Sequence, residues 1–165
     1  MTLDDFNLAP RQAVSDMLLA CAAIPAWADA IIAARPFAGR DRLIALAGDL
    51  ALGWRPEQVA GALVHHPRIG ERPGGGDVQS RHSRREQAAV DPADATLAAE
   101  LLAGNRRYEQ RFGQMFLVRA AGRSGHEILA LLQRRLTHSR AQEQRETALQ
   151  LREIALLRLQ EGISQ

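Results

Sequence analysis

Alanine and leucine recur at three- and four-residue spacing along most of this 165-residue chain. Such spacing places apolar side chains on one face of a helix and is the main sequence signal for α-helix. Aromatic residues make up only 4% of the chain, and alternating runs of valine, isoleucine and threonine are nearly absent, which argues against a sheet. We therefore predict an all-α fold, with residues 1–165 forming a single-domain bundle of about eight helices.

The helical spacing also predicts which residues face inward. In the first half of the chain these are Val14, Met17, Leu18 and Cys21; Trp27, Ala30, Ile31 and Ala34; Leu43, Leu46, Ala47 and Leu50; and Val59, Leu63 and Val64. In the second half, Asp91-Pro92 opens a helix that leads into Leu97, Leu101 and Leu102. Two further helices contain Ile128, Leu129, Leu132 and Leu136, and the stretch 149–159. Ser124 with Glu127, and Ser139 with Gln142, have capping-box spacing before them.

Two segments interrupt the helical pattern. The stretch from His65 to Gly76 contains two prolines and four glycines, so it must leave regular structure. The run Phe116–Ala120 is apolar, short and extended in character, and it leads to Gly122. Loops carried on a rigid scaffold are frequent places for chemistry, which makes both segments candidates for a site.

All 21 basic residues are arginine, since the sequence contains no lysine. Schiff-base chemistry, internal-aldimine pyridoxal sites and lipoyl or biotinyl attachment all require a lysine and are excluded. The formal net charge is only +2, and arginine pairs such as Arg106-Arg107 lie among acidic residues. Nucleic-acid binding needs a concentrated basic face, so we predict no nucleic-acid partner.

The chain also lacks signals for export, membrane insertion or metal binding. Apolar runs such as Ala20–Ile24 are far shorter than the roughly 18 residues of a membrane span, and the acidic start is unlike a signal peptide. Adjacent His65 and His66 diverge, while His82 and Glu86 lack a second ligand pair. We predict a cytoplasmic protein with no membrane association and no metal, in which Cys21 is an inert buried thiol.

From local spacing alone, the candidate polar residues could have structural roles and not catalytic ones. His66 could close a helix C-terminus, where a cation suits the helix dipole, or could serve in acid–base chemistry. The spacing of Ser83 and Glu86 favours a capping box at a helix start. Arg158 alone is typical of a solvated arginine on the last helix.

Several short sequence motifs, which follow one another along the chain, indicate the function more specifically than helical spacing does. They are Trp27 with Arg35-Pro36-Phe37, the hexapeptide His66-Pro67-Arg68-Ile69-Gly70-Glu71, Ser83-x-x-Glu86-Gln87, Tyr108 with Arg111-Phe112-Gly113 and Phe116-Leu117-Val118, and Ile154-x-x-x-Arg158-Leu159. Together they resemble the family of 2-oxo-4-hydroxy-4-carboxy-5-ureidoimidazoline (OHCU) decarboxylases, over nearly the whole chain. The resemblance implies an all-helical homodimer that needs no cofactor, with a small ureidoimidazoline as its substrate.

The resemblance also assigns roles to individual residues. It implies that His66 is the catalytic proton donor and that Glu86 orients either this histidine or the substrate. It further implies a set of substrate-binding residues, namely Pro67, Ser83, Arg84, Arg85, Glu86, Gln87, Phe116, Leu117, Val118, Arg119, Ala120 and Arg158. Arg119 departs from the family, because many relatives have a cysteine there, so only its backbone is expected to contribute.

Two other functions remain open from the sequence. One is a lyase or hydrolase that acts on a different small ureido compound with the same scaffold. The other is a helical interaction module without catalysis, which predicts an exposed apolar stripe and no effect of changing His66.

Overall fold

The computed structural model describes residues 1–71, 78–88 and 94–164. These residues form the helices α1 (Leu3–Leu8), α2 (Arg11–Cys21), α3 (Pro25–Ala33), α4 (Arg40–Ala51), α5 (Pro56–Leu63), α6 (Val78–Glu86), α7 (Ala95–Phe112), α8 (Gly125–Arg135) and α9 (Arg140–Gly162). The described residues contain no β-strand, only an isolated bridge between Thr2 and Ser164. The all-α prediction is confirmed, with nine helices in these ranges. The predicted opening at Asp91-Pro92 and the glycine run Gly74–Gly76 lie outside the described residues.

The chain divides into two compact units. Unit 1 comprises Met1–Ala62 and Leu151–Gln165, and unit 2 comprises Leu63–Gln150. Unit 1 therefore contains α1 to α4, nearly all of α5 and the second half of α9. Unit 2 contains α6, α7, α8 and the first half of α9.

Unit 1 is held by side chains that bond to backbone groups of neighbouring helices. The Trp27 indole N–H donates to the Ala47 carbonyl at 2.9 Å. Arg35 Nη1 donates to the carbonyls of Phe6 and Ala9 at 2.8 and 2.9 Å. Buried backbone groups need such partners, because an unpaired one is costly. The early block of the family resemblance therefore has a structural role in unit 1.

The predicted inward-facing positions of unit 1 are partly confirmed. Val14, Leu18 and Cys21 of α2 are buried, as are Leu43 and Ala47 of α4. The prediction for α3 is wrong at Ala30 and Ala34, which are exposed. Instead α3 buries Trp27, Ala28, Ile31 and Ile32. Because alanine is apolar yet small, its presence at helical spacing says little about which face is buried.

Unit 2 has its own core, built mainly from α7, α8 and the segment between them. The buried cluster consists of Ile69, Leu97, Leu101, Tyr108, Phe112, Phe116, Val118, Ala120, Ile128, Leu129 and Leu132. Helices α7 and α8 approach closely at Gly104, where an added Cβ would lie 2.5 Å from a Leu132 methyl carbon. Real side chains do not come so near, so the crossing depends on a residue without a Cβ.

Unit 2 confirms two predicted capping signals and corrects two predicted core residues. Ser124 Oγ accepts from the Glu127 N–H at 3.1 Å, and Ser139 with Gln142 forms both bonds of a capping box. The spacing predicts that Val64 and Leu102 face inward, but they are 78% and 48% exposed. Helix α5 ends at Leu63, so the helical period no longer applies to the next residue.

Within the described ranges, no helix combines the length and the apolar character needed to cross a lipid bilayer.

Candidate active site

The loop after α5 begins with a tight turn at His66. The backbone N–H of His66 donates to the Leu63 carbonyl at 3.0 Å, so the histidine lies one turn beyond the end of α5. Both His66 and Pro67 are partly exposed. Further on, Gly70 has a φ of +90°, a backbone conformation that favours glycine because a Cβ would clash there. The loop is thus fixed at its start by the bond to Leu63 and bent at Gly70.

Helix α7 holds the middle of this loop through two residues one turn apart. The Asn105 amide donates to the Ile69 carbonyl at 3.2 Å. Glu109 accepts two hydrogen bonds from the Arg68 guanidinium, the longer of them 3.2 Å between Nη2 and Oε2. The hydrogen bond and the charge of Glu109 raise the pKa of Arg68. The Ile69 side chain is buried in the core of unit 2, so side-chain burial and backbone bonding hold the loop together.

The polar residues predicted after the loop lie on α6, but at the opposite end from the one expected. The helix begins at Val78 and ends at Glu86, and the Gln87 N–H donates to the Ser83 carbonyl at 3.2 Å. The capping-box interpretation of Ser83 and Glu86 as a helix start is therefore wrong. A serine at an N-cap accepts a hydrogen bond from a backbone N–H of the first turn, whereas Ser83 lies inside α6. The spacing of Ser83 and Glu86 alone does not distinguish the two positions.

The last turn of α6 contains both exposed and buried predicted residues. Ser83 is 2% exposed, Glu86 and Gln87 are partly exposed, and Arg84 and Arg85 are exposed. Arg85 Nη2 lies 3.2 Å from His82 Nδ1. Basic residues suit this end of a helix because its carbonyls carry partial negative charge.

A hydrogen bond joins the His66 loop to the end of α6. The side-chain oxygen of Gln87 accepts from the backbone N–H of Gly70 at 3.0 Å. The two polar blocks that the sequence separates by about twenty residues therefore meet in unit 2. This contact brings Gln87 together with the loop that contains His66 and Pro67.

The segment Phe116–Ala120 follows α7 as irregular chain, and it does not form a strand in the described structure. Four of its five side chains are buried, and Arg119 is the partly exposed one. The Arg119 N–H donates to Gln150 Oε1 at 2.8 Å, and the Leu117 carbonyl accepts from Arg135 Nη1. Side chains of α8 and α9 therefore fix the backbone of this segment.

Behind this segment lies a buried ion pair that the sequence analysis missed. Arg135 Nε lies 2.9 Å from Glu143 Oε1, and both side chains are 1% exposed. The guanidinium also stacks over the Phe116 ring at 4.6 Å. Burying two charges is costly unless they are paired and hydrogen-bonded. Here the arginine bonds to a carboxylate, a hydroxyl of Thr147 at 3.3 Å and a backbone carbonyl.

Two more titratable groups bond to the same carboxylate. The Tyr108 hydroxyl donates to Glu143 Oε1 at 2.5 Å, and His138 Nδ1 lies 2.9 Å from Oε2. Burial, together with the bond to Glu143, raises the pKa of Tyr108. The phenol is thus held protonated beneath the Phe116–Ala120 segment.

Arg158 belongs to unit 1 and is 1% exposed. Its Nη1 donates to the Ala20 carbonyl at 3.1 Å. The interpretation of Arg158 as a solvated arginine is therefore wrong. A buried guanidinium needs hydrogen-bond acceptors, and the Ala20 carbonyl is one of them.

The residues that sequence reasoning missed share one signal. Asn105 and Arg135 occupy core positions of their helices, four residues after Leu101 and three after Leu132. Each is almost completely buried. A polar residue in the apolar register of a helix is unusual and could have been detected by the spacing that identified the leucines.

The chain is similar to known proteins over most of its length. A family model described as OHCU decarboxylase matches residues 7–160. A 2-oxo-4-hydroxy-4-carboxy-5-ureidoimidazoline decarboxylase from Amia calva is 32% identical over 141 residues, which cover 84% of this chain and 81% of that protein. The uric acid degradation bifunctional protein PucL of Bacillus subtilis (strain 168) is 27% identical over 99% of this chain and 33% of its own length.

Solved structures share the fold. A crystal structure of OHCU decarboxylase in the presence of (S)-allantoin has a TM-score of 0.74 and 23% identity, covering 88% of this chain and 96% of that one. A crystal structure of (S)-allantoin synthase has a TM-score of 0.71 and 18% identity, covering 99% of this chain and 54% of that one. From the family match and the identity to the Amia calva protein, the chain belongs to the OHCU decarboxylase family.

Proposed function

We propose that this protein removes CO2 from OHCU and produces S-allantoin in urate degradation. Support comes from family membership over residues 7–160 and from the 32% identity to an OHCU decarboxylase. The geometry that carries the site assignment is the Gly70–Gln87 hydrogen bond, which joins the His66 loop to the end of α6. The two polar blocks that this bond joins are those to which the resemblance assigns the site.

The proposed reaction needs the protein to orient the substrate and move protons. The bond between the carboxylate carbon and the hydroxyl-bearing ring carbon breaks, and CO2 leaves. The electron pair of the broken bond forms a C=C bond to the ring carbon that carries the ureido group. The π pair of the former C=N bond moves to its nitrogen, which takes up a proton, and the product of this step is an enol. A proton then adds to one face of the ring carbon that carries the ureido group, while the enol hydroxyl loses its proton and becomes a carbonyl. Holding the carboxylate perpendicular to the ring favours the first step.

We assign the proton donor to His66 because imidazole exchanges protons near neutral pH. The resemblance assigns it this role, and its position in a braced loop would deliver the proton to one face, which gives a single enantiomer. We assign Glu86 the role of orienting either this imidazole or the substrate. A correctly placed general acid contributes about 10²–10⁴ to the rate.

Substrate binding is assigned to groups around these two residues. The buried Ser83 hydroxyl, the Gln87 amide and the ring of Pro67 would contact the substrate, with Arg84 and Arg85 adding positive charge for its carboxylate. Backbone amide groups of the Phe116–Ala120 segment other than the Arg119 N–H, which already donates to Gln150, would bond to the ureido and imidazolone groups. This segment suits that role because Arg135 and Gln150 already fix its conformation.

Arg158 remains a proposed anion-binding residue on the resemblance alone. A guanidinium presents a planar pair of donors that fits a carboxylate or carbonyl oxygen. Replacement by lysine keeps the charge and removes the fork, so Arg158→Lys should raise KM for OHCU. An unchanged KM would remove Arg158 from the site.

The assignment is tested by assaying variants with freshly generated OHCU, because the substrate decays spontaneously. His66→Ala and Glu86→Gln should each lower kcat, by about 10²–10⁴ for the histidine, and S-allantoin formation is followed by circular dichroism. His65→Ala is the matched control, since this neighbouring histidine is exposed and should leave the rate unchanged. If His66→Ala and Glu86→Gln keep the wild-type rate and enantiomer, the assignment is wrong.

Substrate range, the need for a cofactor and the oligomeric state are tested separately. Other ureido compounds, assayed beside OHCU, distinguish a different lyase or hydrolase. We propose that no cofactor is needed, so activity should survive exhaustive dialysis against EDTA. We also propose a cytoplasmic homodimer, whose mass in solution is measured by light scattering.

A further inference from the structure

Asn105 is a buried carboxamide that the proposed chemistry does not use. It lies on α7 between Leu101 and Tyr108, both of which belong to the core of unit 2. Asn105 as a whole is 2% exposed. A polar side chain in this register displaces an apolar one and must find hydrogen-bond partners without water.

The carboxamide is only half satisfied. Its Nδ2 donates to the Ile69 carbonyl at 3.2 Å. Its Oδ1 is buried and has no hydrogen-bond partner in the part of the chain that the structure describes. An unpaired buried acceptor lowers stability, so an apolar residue would serve the core better. The favourable interaction that the amide makes here is the one to Ile69.

Ile69 is three residues beyond His66, within the loop that contains both. The loop is held before this point by the His66–Leu63 bond and after it by the Gly70–Gln87 bond. We propose that Asn105 is a positioning residue, which fixes the His66 imidazole by holding the Ile69 carbonyl against α7. The proposal rests on the proposed function only in taking His66 as the proton donor.

The test uses Asn105→Asp, which is nearly isosteric but replaces the donor with a carboxylate facing the Ile69 carbonyl. At pH 8 we expect kcat to fall roughly 10- to 100-fold, because small displacements of a catalytic group are costly. KM should stay within about twofold, since substrate contacts are unchanged. As the pH falls, the introduced carboxyl gains a proton and can donate again, so the ratio of variant to wild-type kcat should rise.

Two further variants separate positioning from loss of packing. Asn105→Ala should also lower kcat, but the ratio of its kcat to the wild-type kcat should not vary with pH. Asn7→Asp is the matched control, because Asn7 makes the same kind of bond to the Phe37 carbonyl at 3.0 Å in unit 1 and should leave kcat unchanged. Arg68 and Glu109 form a charged pair beside Ile69, and dividing the variant kcat by the wild-type kcat at each pH removes the pH effects that the two proteins share.

A second measurement does not depend on activity. Hydrogen exchange of the Gly70 and Glu71 amides should be faster in Asn105→Asp than in wild type, while amides of α8 keep their rates. Equal exchange rates, or a wild-type kcat in Asn105→Asp at every pH, would overturn the positioning role. If wild type shows no turnover of OHCU, the proposed function fails, and faster exchange would still support the role of Asn105 in holding the loop.

Discussion

The side-chain oxygen of Gln87 accepts a hydrogen bond from the Gly70 backbone N–H at 3.0 Å. Gln87 follows the last residue of α6, and Gly70 lies in the loop after α5. The bond therefore fixes the loop relative to the helix end in unit 2. Its strength and its effect on the loop can be measured separately from catalysis.

Replacing Gln87 should change the dynamics of the loop. In Gln87→Leu the Gly70 N–H loses its acceptor, and we expect its hydrogen exchange to accelerate on the order of 2–10-fold, which corresponds to one net hydrogen bond. Gln87→Glu keeps an acceptor oxygen and should retain the wild-type exchange rate. Equal acceleration in both variants would show that the acceptor is not what protects this amide.

Two glycines in helices should respond oppositely to alanine. At Gly104 the new Cβ would meet Leu132, so Gly104→Ala should destabilise the protein by about 1–3 kcal/mol through overpacking. At Gly61, within α5, nothing lies within 4 Å of the new Cβ, so Gly61→Ala should stabilise by about 0.5–1 kcal/mol. Urea unfolding measures both, and a stabilising Gly104→Ala would contradict the close approach of α7 and α8.

Removing one member of the buried ion pair should strongly destabilise the protein. Arg135→Met leaves Glu143 buried without its cation, and we expect a loss of about 3–5 kcal/mol in the free energy of unfolding. The neighbouring Arg134 is exposed, so Arg134→Met should cost no more than about 1 kcal/mol. Similar losses for the two arginines would mean that burial does not determine the effect.

Tyr108 should make stability depend on pH in the alkaline range. Its pKa in the folded protein is raised above the ordinary value of 10.0, so the folded state holds the phenol proton more tightly than the unfolded chain. Stability contributed by this proton is complete below pH 10 and decreases as the pH rises through the folded-state pKa. Tyr108→Phe lacks the proton, and its stability deficit relative to wild type should shrink above pH 10. Urea unfolding from pH 8 to 11 measures this, and a constant deficit would contradict the raised pKa.

The helices were predictable because their signal is local. Leucine and valine at helical spacing identified α2, α4 and α8, and serine with glutamate or glutamine identified the starts of α8 and α9. The start of α6 was missed because Val78–His82 contains no apolar period. The Ser83–Glu86 spacing was then assigned to the wrong end of the helix. The same spacing marks the start of α9 at Ser139, so capping-box spacing by itself does not distinguish the start of a helix from its end.

The pairing of residues within the polar network was not predictable, because it depends on how the helices pack. The spacing within one helix can show that a polar residue occupies a core position, but it does not show which group on another helix bonds to it. The arginine at position 135 continues the Ile128 and Leu132 face of α8, yet its partner Glu143 lies on another helix. The family resemblance predicts the candidate site, whereas the hydrogen bonds and the ion pair around it became visible only in the three-dimensional structure.

Asn105 and Glu109 hold the His66 loop from positions four apart on α7. One residue inserted between them would rotate the second about 100° around the helix axis, so both could no longer reach the same loop. Changes of chain length are therefore poorly tolerated within this single helical turn, even though neither residue touches substrate in the proposed reaction. A design that lengthens or shortens α7 should place the change before Asn105 or after Glu109.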